Sequence, residues 1–87
     1  MDEIKYAVVC VDDDAFILQM LGFQLSKIVD QKYTLLEYFT DPLMALENID
    51  ELVNEKIDII FIIVDYQMPK MNGAELIRSI KIKHPTL

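Results

Sequence analysis

The sequence is short of several things, and each shortage excludes something. Of its 87 residues only Cys10 is a cysteine, so no disulfide framework within the chain holds the fold. Cys10 lies inside an apolar run and reads as a buried, reduced thiol. Two glycines and three prolines, against 53% hydrophobic residues, argue against disorder. Basic residues are outnumbered, 8 to 15, giving a net charge of −7 that disfavours nucleic-acid or anionic-membrane binding by this segment. The apolar run Ile59 to Val64 is six residues long, far short of the roughly 20 that cross a bilayer. The start "MDEIKYAVVC" has neither the basic beginning nor the apolar stretch of a signal peptide. The expectation is a cytoplasmic protein, with residues 1–87 forming one small domain.

What is present alternates. "YAVVCV", Tyr6 to Val11, is β-branched and apolar and reads as a strand buried on both faces. From Ala15 to about Val29 the positions Ile17, Met20, Leu21, Leu25 and Ile28 recur at helical spacing, with Gln24 the polar intruder. Tyr33 to Phe39 predicts a second strand, and Asp41 then caps a helix that opens on Pro42 and buries Ala45, Leu46, Ile49, Leu52 and Val53. A third strand, Ile57 to Val64, is followed by the loop "QMPKMNG" and a helix with Leu76, Ile77 and Ile80 on one face. Such an order, with nearly continuous apolar strands, predicts an α/β fold: a doubly wound parallel sheet with right-handed crossovers and helices on both faces.

In sheets of this kind ligands bind beyond the carboxyl ends of the strands. Asp12, Asp13 and Asp14 follow the first strand and Asp65 follows the third. If those strands are neighbours, about 4.8 Å apart, their carboxylates converge. Converging carboxylates raise one another's pKa and invite a hard divalent cation. Mg2+ suits a few carboxylates plus a carbonyl, and the Gln67 backbone carbonyl is placed to complete the protein's share. A carboxylate beside such an ion can attack phosphorus, which explains why the chain's most apolar segment ends on an acid.

"VVCVDDDAFILQML" together with "IIVDYQMPKMNGAELIRSIK" resembles the receiver domain of two-component response regulators, over essentially the whole chain. That family has an acid pair after the first strand and D-x-x-M-P-x-M-[DN]-G after the third. The resemblance implies a flavodoxin-like fold with strand order 2-1-3-4-5, Asp65 as phosphoacceptor, and Mg2+ held by Asp12, Asp13, Asp65 and the Gln67 carbonyl. It implies a phosphorelay in which a sensor histidine kinase or a histidine phosphotransfer protein supplies the phosphoryl group, the module being no enzyme in its own right. Met68 and Pro69 would shape the loop and Gly73 would let it turn into the helix.

The sequence also departs from that pattern. Receivers continue to a fourth strand ending in Ser or Thr and a fifth ending in Lys, whereas "KHPTL" comes before either, so the expectation is a receiver reduced to about three βα units. Lys70 is expected to be solvated, and Ser79 and Lys81 sit on the last helix. The third strand would then be an apolar sheet edge without Lys or Pro, either part of a longer protein, such as a regulator or hybrid kinase, or completed by another polypeptide. Its segment is about two residues longer than usual, which predicts an early start or a bulge with Asp65 still in place. Duller roles are expected elsewhere. Asp12 to Asp14 could merely cap the first helix, Met68 and Met71 pack, Tyr38 and Phe39 are core and rim, His84 caps, and Glu75 and Arg78 pair weakly. The alternative function is a receiver-like interaction module that is not phosphorylated. A hydrolase forming an aspartyl-phosphate is disfavoured, because such enzymes carry a second acid where Gln67 stands.

Overall fold

The computed structural model describes residues 3–87. β1 (Tyr6–Val11), α1 (Ala15–Leu25), β2 (Thr34–Phe39), α2 (Pro42–Asn54), β3 (Asp58–Val64) and α3 (Gly73–Lys83) alternate along the chain. The strands form one parallel sheet of order β2-β1-β3, the arrangement of a flavodoxin-like receiver fold. The central strand is the most buried, and its side chains divide between two cores. Ala7, Val9 and Val11 pack with Ala45, Ile49 and Leu52 of α2 and Leu76 and Ile80 of α3. Val8 and Cys10 pack with Leu18 of α1 on the opposite face.

Each helix begins where a short polar side chain meets an orphan N–H. Asp14 Oδ1 accepts from Phe16 N, Asp41 Oδ1 accepts from Leu43 N with Pro42 next to the cap, and Asn72 and Glu75 form a reciprocal capping box. Glu75 is therefore committed to the Asn72 N–H, and no Glu75–Arg78 ion pair forms among the described residues, contrary to expectation. His84 caps α3 through its N–H to the Ile80 carbonyl, as expected. Its ring also meets Asp50 of α2 at 2.7 Å, and Lys83 meets the other Asp50 oxygen at 2.7 Å. Those two contacts tie the ends of α2 and α3 together.

Two expectations for α1 are corrected. The helix stops at Leu25 instead of running to Val29, because Ser26 Oγ takes the Phe23 carbonyl and the chain turns through residues 26–29. The buried stripe is Leu18 with Leu21 and Leu25, while Ile17, Met20 and Ile28 are exposed, Ile28 by 78%. Apolar residues surround this helix, so their spacing did not fix its rotation. In α3, Ile77 likewise falls on the exposed side. Leu46 and Val53 of α2 are only partly buried against the core, as is Phe39, and Tyr38 is at the rim.

The third strand carries the expected bulge, which takes up one residue. Ala7 pairs with Ile59 but Val8 pairs with Phe61, leaving Ile60 as the extra residue. Beyond it the faces are reset: Ile62 and Val64 join Ile59 on the α2/α3 side, and Ile63 turns towards α1. As expected, β3 is an edge strand, with Phe61 63% exposed.

After α2 the chain reverses through Lys56 at φ 62°, the left-handed region, while Ile57 N–H returns to the Leu52 carbonyl. A side chain in that conformation carries a penalty that glycine escapes. Lys56→Gly is expected to raise stability by about 0.5–1 kcal/mol, read from urea midpoints. Burial pushes the Cys10 thiol up to about 11, so it should resist Ellman's reagent at pH 8 in the folded protein and react at once in urea. Rapid modification without denaturant would show that β1 is not buried.

Candidate functional site

The site is built from two strand ends and the loop after β3. Asp12 N–H donates to the Phe39 carbonyl (3.1 Å) and Asp65 N–H donates to the Val11 carbonyl (2.9 Å). Both bonds extend the sheet ladder one step past its last paired residues, so the two acids stand where β1 and β3 leave the sheet. Asp12, Asp13 and Asp65 each offer a carboxylate oxygen, and these oxygens lie within 4.8 Å of one another. Asp12 and Asp65 are half-buried and Asp13 is exposed.

The three consecutive acids divide their work. Asp14 caps α1. Asp12 Oδ1 accepts the Asp14 N–H at 2.9 Å, which orients its carboxylate. The simple capping reading therefore holds for Asp14, whereas Asp12 and Asp13 converge with Asp65. Burial is the largest influence on Asp12 and raises its carboxyl above the ordinary value. The Asp14 N–H opposes that shift, and the charges of Asp65, Asp13 and Asp14 add to it.

The loop is shaped by contacts at both its ends. Gly73 N–H donates to the Tyr66 carbonyl at 2.7 Å. A Cβ on Gly73 would stand 2.6 Å from the Asp65 carbonyl oxygen and 3.0 Å from Tyr66 Cα, so only glycine allows the start of α3 to approach the acid this closely. Met68 is buried in the α2/α3 core, and Met71 is partly buried beside it. Gln67 is exposed, two residues after Asp65. Lys70 is solvated, as expected, and it is also paired: its Nζ lies 3.1 Å from Asp41 Oδ2. Asp41, seen in the sequence only as a cap, thus has a second role. A basic residue in the loop facing an acid after β2 was the available signal.

Three hard oxygen donors at the carboxyl ends of two neighbouring parallel strands suit a hard divalent cation. Fold and site together define a parallel α/β domain with an acid centre at its strand ends. The chain belongs to the response regulator receiver domain family, which matches over residues 8–87. It is similar to a protein from Rhodopseudomonas palustris named protein-glutamate methylesterase/protein-glutamine glutaminase of group 3 operon, with 34% identity over 85 residues, 98% of this chain and 22% of that protein. The chain therefore spans about a fifth of the length of that curated relative. A crystal structure of an uncharacterized protein from Neptuniibacter caesariensis matches with a TM-score of 0.73 at 28% identity, over 94% of this chain and 55% of that one. Family membership supports a phosphoacceptor role in two-component signalling. Receiver domains generally bind Mg2+ at an acidic cluster and interact with histidine kinases or phosphotransfer proteins. No helix among the described residues is long and apolar enough to cross a membrane.

A carboxyl whose pKa is raised by folding favours the fold when protonated, and that contribution is lost as pH rises through the folded value. In metal-free buffer at pH 7, Asp12→Asn is thus expected to stabilise the protein, on the order of 1 kcal/mol for relief of charges in water-like surroundings. The gain should shrink as the medium is acidified to about pH 3. Urea denaturation at the two pH values checks this, and a loss of stability at pH 7 would contradict the strain assigned to the cluster.

Proposed function

We propose that this domain accepts a phosphoryl group from a phosphohistidine onto Asp65, in a Mg2+-dependent phosphorelay. The convergence of Asp12, Asp13 and Asp65 within 4.8 Å carries the reading. The carboxylates of those three residues, with the Gln67 carbonyl, would hold the ion. When bound, Mg2+ would offset the negative charge of the incoming phosphoryl oxygens.

The chain's own part is positioning. Asp65 is fixed through its backbone to β1, so its side chain is presented from a rigid strand end. An Asp65 carboxylate oxygen attacks phosphorus as the phosphorus–nitrogen bond of the donor breaks. The electron pair returns to the imidazole ring, and the product is an aspartyl-phosphate on Asp65. The donor is a sensor histidine kinase or a histidine phosphotransfer protein, and the domain assists its own phosphorylation without acting as an enzyme on other substrates. A cytoplasmic location belongs to the same proposal. The second reading is a receiver-like interaction module that is not phosphorylated.

Intact-mass measurement after incubation with acetyl phosphate separates the two. A phosphoryl adduct is expected with Mg2+, absent in EDTA and absent in Asp65→Asn. An adduct that persists in Asp65→Asn would place the acceptor elsewhere, and no adduct with Mg2+ present would favour the interaction module.

A further inference from the structure

From Asp65 to Asn72 the backbone forms no helix or strand, so its position depends on discrete contacts. The Asp65 and Gly73 N–H groups fix its two ends, and Met68 anchors it from beneath. Lys70 adds a side-chain tie to a different element. Its Nζ donates to Asp41 Oδ2 at 3.1 Å, while Asp41 Oδ1 accepts the Leu43 N–H at 3.0 Å as the cap of α2. The helix therefore orients the carboxylate before the lysine arrives, so forming the pair orders chiefly one long side chain. The Leu43 N–H, followed by Lys70, holds the Asp41 carboxyl below its ordinary value, which keeps the acceptor charged. The pair lines a cleft with Asp13, Thr40 and Pro69, beside the acid centre. There is also a consequence for charge. A lysine five residues after Asp65 that paired with the acid cluster would compete with a cation there, and its bond to Asp41 directs it elsewhere.

We propose that Lys70 is a positioning residue for the phosphoacceptor: its bond to Asp41 clamps the Asp65–Asn72 loop to the N-terminus of α2 and so restricts the aim of Asp65. The rate effect rests on the phosphoacceptor reading, whereas the clamp is testable without it. The test compares wild type with Lys70→Gln, Asp41→Asn, the double variant and Lys70→Arg. Asn at position 41 retains the capping oxygen, and Lys70 is largely exposed, so each variant should fold.

Hydrogen exchange of the loop amides, in unphosphorylated protein at low salt, should rise by about two- to five-fold in each single variant, the size of an exposed ion pair. The double variant should rise no further, Lys70→Arg should restore protection, and high salt should erase the differences. Unchanged loop exchange in both single variants, or additive effects in the double, overturns the clamp. At saturating Mg2+, the maximal rate of phosphoryl uptake from acetyl phosphate should fall by a similar factor in Lys70→Gln, with half-saturation by acetyl phosphate unchanged. An unchanged maximal rate in a variant whose loop exchange has risen overturns the positioning role. If wild type takes up no phosphate, the phosphoacceptor reading fails while the exchange result still decides the clamp.

Discussion

The parallel pairing of β1 with neighbours on both sides is the constraint from which the site follows. β1 is buried on both faces, with Ala7, Val9 and Val11 towards α2 and α3 and Val8 and Cys10 towards α1. Its ladder continues one hydrogen bond past Val11 on each side, to Phe39 and to Asp65. Parallel strands bring like ends together, so acids placed after β1 and β3 have to meet. An antiparallel β3 would carry Asp65 to the far end of the sheet. The charge cluster is thus a product of topology, and its repulsion is opposed by the apolar contacts of the strands that hold it.

Much of this was legible beforehand because it depends on pattern. Alternating elements, apolar strands and the cap at Asp41 are local features, and the acids are placed by counting from strand ends. What escaped depends on three-dimensional partners. The rotation of α1 could not be read because Phe16, Ile17, Met20 and Phe23 are as apolar as the buried Leu18, and only the sheet chooses among them. Its early stop depends on Ser26, whose hydroxyl competes for a backbone carbonyl. The Lys70–Asp41 and His84–Asp50 contacts join residues 29 and 34 positions apart, a separation that helical or strand periodicity does not address.

The bulge at Ile60 shows how one extra residue is absorbed without moving the acid. One unpaired residue reverses which face follows, so Ile59 before it and Ile62 and Val64 after it all serve the α2/α3 core. Strict alternation from Ile59 would put Ile62 and Val64 on the α1 side instead. The register at Val11 and Val64 is therefore set by the downstream packing, and the irregularity lies at the opposite end of the strand from Asp65.

Charge is sorted by the same logic. In a chain with 15 acidic residues, acidity alone singles out none of them. Asp14 and Asp41 have an oxygen committed to a helix N–H, and Asp50 is bound by Lys83 and His84. Asp12 commits one oxygen to a backbone N–H, yet burial and the nearby acids still raise its carboxyl. Asp50, hydrogen-bonded by both Lys83 and His84, is lowered, Lys83 being the larger cause and His84 the next. The contrast between a satisfied acid and an unsatisfied one separates structural carboxylates from the cluster at the strand ends. It also explains why a lysine could remain beside that cluster: Asp41, oriented by the start of α2, meets its charge.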